Sequence, residues 1–218
     1  MYIKAVIFDL DGTVLDTEKL LVKYWCKAAN DFGFPMKREH ALELRSLARK
    51  YAEPLLKEWF GENCEYMKLR NRRMELMTEH IGTFGLDTKA GIKELLIYLG
   101  EHGYKRAVAT ATDLTRASDY LKSVDLYDYF DDIISAHEVK NGKPKPDVYL
   151  YAVDKLGFNP DECIAIEDSP NGVISASDAG CRTIMIPDLT EPDAELKKRL
   201  FAVCKSALDV IDILKENN

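Results

Sequence analysis

The stretch VIFDLDGTVLDTE, Val6–Glu18, joins an apolar run to two aspartates one residue apart, followed by glycine and threonine. Residues two apart in a strand point to the same side, so Asp9 and Asp11 should lie together while Leu10 faces the other way. We expect both carboxylates at the carboxyl end of a buried first strand, where open parallel sheets bind ligands. Two carboxylates this close repel each other unless a cation or a shared proton relieves them. The stretch therefore indicates a site with further members.

Short apolar runs recur along the rest of the chain. They are continuous rather than alternating, which is typical of strands covered on both faces. The runs are Lys4–Leu10, Arg106–Thr110, Asp132–Ser135, Cys163–Glu167 and Arg182–Ile186. From the second run onward, helical segments such as Ala90–Gly103 and Asn171–Gly180 separate them. This order predicts an α/β protein with a doubly wound parallel sheet, a Rossmann-like core.

Between the first and second runs the apolar residues follow helical spacing instead, as Leu21, Trp25 and Ala28 illustrate. We predict an inserted all-helical cap domain at 17–85, with the α/β core formed by 1–16 and 86–218. The insert carries 13 basic and 10 acidic residues, whereas the whole chain has a net charge of −7. The insert is therefore the basic part of an acidic protein.

Composition narrows the class of protein. A chain of 218 residues that are 46% hydrophobic can bury a sizeable core. The net charge of −7 argues against a nucleic-acid partner. Its five cysteines are an odd, widely spaced set without a C-x-x-C pair, which indicates reduced thiols rather than disulfides or a zinc site. No apolar stretch is long enough to span a membrane, so we expect a cytoplasmic protein without a membrane partner.

Other strand ends and loops carry side chains suited to the same site. Thr110 ends the second run with a hydroxyl, Lys143 lies in a loop bounded by glycine and proline, and Glu167 and Asp168 end the fourth run. Carboxylates without nearby histidine or cysteine favour a hard cation, Mg²⁺ first. Together these residues offer a nucleophile, an acid/base and charge neutralisation. Metal-assisted transfer of a phosphoryl group to a carboxylate needs these three functions.

Four motifs here resemble a known family. They are D-x-D-G-T at Asp9–Thr13, the hydroxyl of Thr110, the lysine of GKPKPD (Gly142–Asp147) and the acids of EDSPNG (Glu167–Gly172). In this order they match the motifs of the haloacid dehalogenase-like superfamily over essentially the whole chain. The helical insert after the first motif resembles the β-phosphoglucomutase-like branch, mostly phosphatases of small metabolites. The resemblance implies a Mg²⁺-dependent phosphatase of a small phosphorylated metabolite, such as a sugar or polyol phosphate.

The resemblance also implies roles for individual residues. Asp9 would attack phosphorus and form an aspartyl-phosphate, and Asp11 would protonate the leaving alcohol and then deprotonate the hydrolytic water. Thr110 would hold a phosphoryl oxygen, and Lys143 would offset its charge. The implied metal ligands are Asp9, Asp11 through its backbone carbonyl, Asp168, and Glu167 either directly or through water. The implied substrate-binding residues are Gly12, Thr13, Ala111, Thr112, Arg49 and Arg70.

Two departures from the family pattern bear on the prediction. Ser46 replaces the usual cap glycine, which weakens the assignment of Arg49. Leu21 stands where mutase members carry a histidine that helps return the phosphoryl group, which favours hydrolysis over isomerisation of a sugar phosphate. A dehalogenase or a non-catalytic phosphometabolite sensor would not need Asp11, and both are weaker alternatives. We expect a monomer or a weak homodimer.

Overall fold

A computed structural model describes residues 2–217, in which six parallel strands form one sheet in the order β3-β2-β1-β4-β5-β6. The strands are β1 (Ala5–Phe8), β2 (Lys105–Thr110), β3 (Asp132–Ser135), β4 (Cys163–Glu167), β5 (Arg182–Met185) and β6 (Ala202–Val203). The strand order reverses at β1, so the chain winds outward first on one side and then on the other. The predicted fold class is confirmed, and its ligand crevice lies at the carboxyl ends of β1 and its neighbours.

The central strands are apolar on both sides because helices cover both faces of the sheet. Val6 and Phe8 of β1 join one buried cluster, and the alternate residues Ala5 and Ile7 join another on the opposite face. Tyr149, fully buried, belongs to this second cluster. Burial on both faces explains why the sequence shows continuous apolar runs rather than alternation.

Six α-helices of the described chain belong to the α/β core. They are α5 (Ile92–Glu101), α6 (Leu114–Ser123), α7 (Asp147–Leu156), α8 (Pro170–Asp178), α9 (Ala194–Lys197) and α10 (Ala207–Asn217). The predicted helices Ala90–Gly103 and Asn171–Gly180 correspond to α5 and α8. Gly103 and Gly180 follow them with positive φ angles of 76° and 88°, a backbone conformation that glycine adopts readily at helix ends.

Four helices occupy the predicted insert and pack mainly on one another. They are α1 (Glu18–Asp31), α2 (Arg38–Glu43), α3 (Arg49–Phe60) and α4 (Tyr66–Phe84). Trp25, Leu56 and Leu69 share one buried cluster, and Tyr24 and Met77 share another. The four helices fall within 17–85, and the exact domain boundaries stay a prediction, with residues 1 and 218 of the predicted core outside the described range.

The two connections between insert and core run side by side. Leu15 forms a bridge to Thr88. The Asp16 amide donates to the Asp87 carbonyl at 2.9 Å, and the Lys89 amide donates to the carbonyl of Val14 at 2.9 Å. The chain therefore enters and leaves the insert through one hydrogen-bonded pair of segments.

Other sequence predictions concern the thiols and the membrane. The cysteines are all free, as predicted: Cys26, Cys64, Cys163, Cys181 and Cys204. Within residues 2–217, none of the helices combines the length and the apolar character that crossing a bilayer requires.

Candidate active site

The first strand ends earlier than the sequence predicts. It stops at Phe8 instead of Leu10, because the Leu10 carbonyl turns back to accept the amide of Leu15 at 2.9 Å. Asp9 and Asp11 thus lie beyond the strand, and the prediction that strand alternation brings their side chains together was wrong in its reason. Both side chains nevertheless line the same cavity at the carboxyl edge of the sheet, because the turn after β1 carries Asp11 back over that edge.

Asp9 and Lys143 form a buried ion pair. Lys143 Nζ donates to Asp9 Oδ1 at 2.5 Å and to Glu167 Oε1 at 2.6 Å, and the Tyr149 hydroxyl donates to the same Glu167 oxygen at 2.6 Å. Burial raises the pKa of Asp9 to about 7, although Lys143 opposes this shift. Burial alone would lower the pKa of Lys143, but the two carboxylates outweigh it and raise that pKa. The protons in the hydrogen bonds from Lys143 to Asp9 and Glu167 therefore stay on the Lys143 amine.

Hydroxyl groups hold both oxygens of Asp11. Thr17 Oγ1 donates to Oδ1 at 2.6 Å, and Thr112 Oγ1 donates to Oδ2 at 2.8 Å. Thr110, at the end of β2, is buried, and its Oγ1 accepts the Thr112 amide at 3.0 Å. Helix α6 begins only at Leu114, so three residues separate Thr110 from the start of that helix.

Three buried carboxylates form a candidate metal site. One oxygen from each of Asp9, Glu167 and Asp168 lies within 4.8 Å of the other two. Asp9 Oδ2 and Asp168 Oδ1 are buried and have no hydrogen-bond partner among the described residues. Unsatisfied carboxylate oxygens are costly in a protein interior, and oxygen-only donors suit Mg²⁺. The residues present therefore fit the cation that the sequence predicts.

Gly12 allows the turn after β1 to pass close to this cluster. Its φ angle is +91°, and an added Cβ would lie 2.3 Å from Asp168 Oδ2 and 2.6 Å from Cγ of Glu18. Any larger residue would both strain the backbone and collide with Asp168. The glycine of the first motif is thus required by crowding as well as by backbone conformation.

The sequence did not predict a buried contact between the insert and Asp168. Arg45, which follows α2, lies with its Nε 3.3 Å from Glu18 Oε2, and its Nη2 donates to Asp168 Oδ2. Its Nη1 also donates to Thr190 Oγ1 at 3.0 Å. Burial raises the pKa of Glu18 to about 8 and raises that of Asp168 well above its usual range, while Arg45 opposes both shifts. Arg45 is thus the cation that balances these two acids.

Residues 43–48, which we call the docking segment, bring the insert onto the core. Asn171 Nδ2 donates to the Arg45 carbonyl at 2.9 Å, and the Ala48 amide donates to the Lys143 carbonyl at 2.9 Å. Ser46 has a φ angle of +54°, in the left-handed region that glycine favours. Ser46 therefore replaces the glycine of the family at a position where the backbone still has a conformation typical of glycine.

A cavity of about 460 Å³ lies between the insert and the sheet edge. The predicted site residues that line it are Asp9, Asp11, Thr110, Ala111, Thr112, Arg49 and Arg70. The predicted site residues that are buried or crowded without lining it are Gly12, Thr13, Lys143, Glu167 and Asp168. Leu21 also lines the cavity. The structure thus gathers the predicted residues in one region, and their roles stay predictions.

Several residues at the site were missed by the sequence analysis. They are Glu18, Arg45, Arg73, Arg116, Thr17 and Tyr149. Glu18 and Thr17 lie in the first quoted stretch, and Tyr149 follows Lys143 by six residues, so proximity to a motif could have drawn attention to them. Arg45 contacts an aspartate 123 positions away, and no local pattern marks such a contact.

Known proteins resemble this chain along most of its length. The model of the haloacid dehalogenase-like hydrolase family matches residues 6–186. The chain is 29% identical over 215 residues to a phosphorylated carbohydrates phosphatase of Thermotoga maritima, a match that covers 98% of this chain and 99% of that protein. It is 29% identical over 188 residues to hexitol phosphatase B of Escherichia coli K12, covering 85% and 84%.

A solved structure of a related protein has the same fold. A β-phosphoglucomutase from Clostridium difficile superposes with a TM-score of 0.81 at 24% identity, covering 99% of this chain and 96% of that one; at this identity the likeness concerns the fold alone. Because the family model spans most of the sequence, the chain belongs to the haloacid dehalogenase-like hydrolase family. The superfamily and the enzyme class predicted from the sequence, a phosphatase, are confirmed. The predicted β-phosphoglucomutase-like branch agrees with the likeness to a putative β-phosphoglucomutase from Thermotoga maritima, which is 28% identical with a TM-score of 0.73 and covers 98% of this chain and 99% of that one.

Proposed function

We propose that the protein is a Mg²⁺-dependent phosphatase that hydrolyses a small sugar or polyol phosphate through an aspartyl-phosphate at Asp9. The observation that carries the proposal is the state of the Asp9 carboxylate. It lines the cavity, one of its oxygens is held by Lys143, and the other has no hydrogen-bond partner within residues 2–217. The names of the phosphatases from Thermotoga maritima and Escherichia coli support phosphorylated carbohydrates as the substrate class.

In the first half-reaction, Asp9 Oδ2 attacks phosphorus, and the bond from phosphorus to the ester oxygen breaks. Asp11 gives its proton to the leaving oxygen. In the second half-reaction, Asp11 takes a proton from water as the water oxygen attacks the aspartyl-phosphate, which releases inorganic phosphate and restores the Asp9 carboxylate. The hydroxyls of Thr17 and Thr112 hold Asp11 in place for both proton transfers.

The surrounding groups offset the charge on the phosphoryl group. Lys143 neutralises one charge beside Asp9, and the Thr110 hydroxyl would donate to a phosphoryl oxygen. Asp9, Asp168 and the Asp11 carbonyl would hold Mg²⁺, with Glu167 binding it directly or through water. When bound, the ion supplies further positive charge to the phosphoryl oxygens.

The insert closes the cavity over these groups through the docking segment, and exclusion of bulk water is the role we give it. An isomerase that returns the phosphoryl group to the sugar is the alternative. Leu21 lines the cavity, and its apolar side chain offers no group for proton transfer there. This observation favours hydrolysis.

The test is phosphate release from a panel of sugar, polyol and nucleotide monophosphates, with Mg²⁺ and with a chelator. Asp9→Asn should abolish release while the protein keeps its circular dichroism spectrum. The matched control is Asp178→Asn, which alters an exposed aspartate paired with Arg199 and should leave release unchanged.

Folded wild-type protein that releases no phosphate from any ester would overturn the proposal. The next assay would then be β-glucose 1-phosphate with a bisphosphate primer, since product formation there identifies the isomerase. Sedimentation of the same samples tests the expected monomer or weak homodimer.

A further inference from the structure

Tyr149 carries a buried hydroxyl that the proposed reaction does not use. The residue is fully buried in α7, and its hydroxyl donates to Glu167 Oε1 at 2.6 Å. Burial, together with the nearby charge of Glu167, raises the pKa of Tyr149 well above its ordinary value of 10. The hydroxyl therefore keeps its proton and acts as the donor in this hydrogen bond.

Two donors converge on the same oxygen of Glu167. Lys143 Nζ also donates to Oε1 at 2.6 Å, and it lies 3.5 Å from the Tyr149 hydroxyl oxygen. A carboxylate oxygen offers about two lone-pair sites to hydrogen-bond donors. The bonds from Lys143 and Tyr149 therefore fill Oε1 and leave no lone pair on it for a metal ion.

The other oxygen of Glu167 is confined by the start of α8. Ser169 Oγ donates to Oε2 at 3.4 Å. A Cβ added to Gly172 would lie 1.9 Å from Oε2 and 2.2 Å from Oε1, so the carboxylate occupies the space that a side chain at position 172 would take. The Glu167 carboxylate is thus held between α8 on one side and Tyr149 and Lys143 on the other.

The three acids of the candidate metal site differ in this respect. Asp9 Oδ2 and Asp168 Oδ1 are buried without a hydrogen-bond partner among the described residues, whereas both oxygens of Glu167 accept hydrogen bonds. The free oxygens are therefore those of the two aspartates. The contacts of Glu167 connect it to Lys143 instead.

Lys143 needs such a fixed partner because of its position beside Asp9. Its Nζ donates to Asp9 Oδ1 at 2.5 Å, and the oxygen that attacks phosphorus in the proposed reaction is Oδ2. A lysine ammonium is a compact charge on a flexible stem, so its own side chain does not select one oxygen of Asp9. The bond to Glu167 fixes the ammonium on the Oδ1 side.

We infer that Tyr149 is a positioning residue of the reaction. Its hydroxyl fixes the carboxylate of Glu167, and Glu167 in turn fixes Lys143 Nζ on Asp9 Oδ1, which leaves Oδ2 free to attack. Glu167 then meets Mg²⁺ through water rather than as a direct ligand. The inference rests on the proposed function and assigns Glu167 to the Lys143 side of the site.

The test is Tyr149→Phe, which removes the hydroxyl and nothing else. The ring stays, and with it the contact in which Lys143 Nζ lies 5.0 Å from the ring centroid. Loss of a group that orients the residues of a metal site costs about 10- to 100-fold in activity or metal affinity. We expect kcat for the best ester of the phosphate-release panel to fall by about that factor, with KM within about threefold of the wild-type value.

Two measurements on the same variant do not depend on turnover. Calorimetry with Mg²⁺ alone should give a dissociation constant within about threefold of that of the wild type, because the hydroxyl does not orient a direct ligand. Crystal structures of wild type and variant should show the distance from Lys143 Nζ to Asp9 Oδ1 lengthened from 2.5 Å to beyond about 3.5 Å, the limit of a hydrogen bond.

A matched control lies two residues further along the same helix. Tyr151 is half-buried, and Lys155 Nζ lies 5.3 Å from the centroid of its ring. Tyr151→Phe also removes one hydroxyl from α7 and should leave kcat, the Mg²⁺ dissociation constant and the Lys143 position unchanged. An equal fall in kcat for both variants would trace the effect to general loosening of α7 and overturn the inference.

The remaining outcomes separate this inference from the phosphatase proposal. Unchanged kcat for Tyr149→Phe, with Lys143 still on Asp9, would overturn the positioning role and leave the phosphatase intact. Weaker Mg²⁺ binding, with kcat restored at saturating Mg²⁺, would make Glu167 a direct ligand and also overturn the inference. If folded wild type hydrolyses no ester, the phosphatase proposal fails, and the crystal structures decide: a displaced Lys143 supports the positioning role, and an unmoved one overturns it.

Discussion

Replacing Arg45 by methionine tests how the insert is joined to the core. Arg45 is 3% exposed, and its guanidinium lies between Glu18 and Asp168, which are 2% and 0% exposed. Methionine keeps much of the side-chain volume but removes the charge and every hydrogen-bond donor. Two buried carboxylates then lose their cation, and the Thr190 hydroxyl loses its donor.

The expected loss of stability follows from this geometry. Removing one partner of a buried ion pair costs about 3–5 kcal/mol, because the other charge remains buried without compensation. In a domain of this size, 1 kcal/mol lowers the midpoint of thermal unfolding by roughly 2–4 °C. We therefore expect Arg45→Met to lower the unfolding midpoint by about 6–20 °C at pH 8 in metal-free buffer.

The loss should also depend on pH. Burial raises the pKa of Glu18 from 4.5 to about 8 even with Arg45 in place. A carboxyl that binds its proton more tightly when folded stabilises the fold at low pH, and this contribution is lost as pH rises through the folded pKa. Without Arg45 the pKa values of Glu18 and Asp168 rise further. At low pH the two carboxyls of the folded variant are therefore protonated, and no buried charge is left without a partner. The cost of Arg45→Met should be small near pH 5 and grow towards pH 8.

The assay is urea and thermal unfolding of wild type and variant at pH 5, 6, 7 and 8 with a chelator present. Arg72→Met is the control, because Arg72 also contacts two acids but lies at the surface, where ion pairs contribute little. Its loss should be a small fraction of that of Arg45→Met and independent of pH over this range. Equal losses for the two variants at pH 8, or an Arg45→Met loss that does not change with pH, would refute this reasoning.

Two glycine-related substitutions give further predictions. Gly12→Ala should abolish metal-dependent phosphate release and should lower the free energy of unfolding more than Gly33→Ala does. Both glycines have positive φ angles, but of the two only Gly12 is crowded, by Asp168. Equal losses in urea unfolding would show that backbone conformation alone requires the glycine. Ser46→Gly should raise the free energy of unfolding by up to about 1 kcal/mol, because glycine relieves the strain of the left-handed backbone conformation at this position. This gain outweighs the extra conformational freedom that glycine gives the unfolded chain. A measured decrease in the free energy of unfolding would count against strain at Ser46.

The sequence predicted the elements that burial on both faces makes recognisable. The runs for β3 and β4 have the same bounds in the structure, and those for β2 and β5 differ by one residue. Asp9, Thr110 and Glu167 lie at or directly after the ends of β1, β2 and β4, where parallel topology brings them together whatever the details of packing. Strand β6, two residues long at the sheet edge, has too few apolar positions to form a pattern.

Contacts between the insert and the core were beyond the sequence analysis for a physical reason. Periodicity shows which face of a helix is apolar, but it does not show how one body docks on another. Arg45 and Arg73 are charged residues in a basic segment, and the sequence gives each the ordinary interpretation of a solvated side chain. Only docking of the insert buries Arg45 beside Asp168 and turns Arg73 towards the cavity.

The paired connections at Leu15–Asp16 and Asp87–Thr88 have a mechanical consequence. Two segments that are hydrogen-bonded side by side resist twisting and sliding against each other, and they bend most easily about one axis, as a two-stranded hinge does. We expect opening of the insert to be a rotation with a single degree of freedom. One pair of labels, on the exposed Glu58 of α3 and the exposed Leu150 of α7, would then follow the whole opening as a change in a single distance.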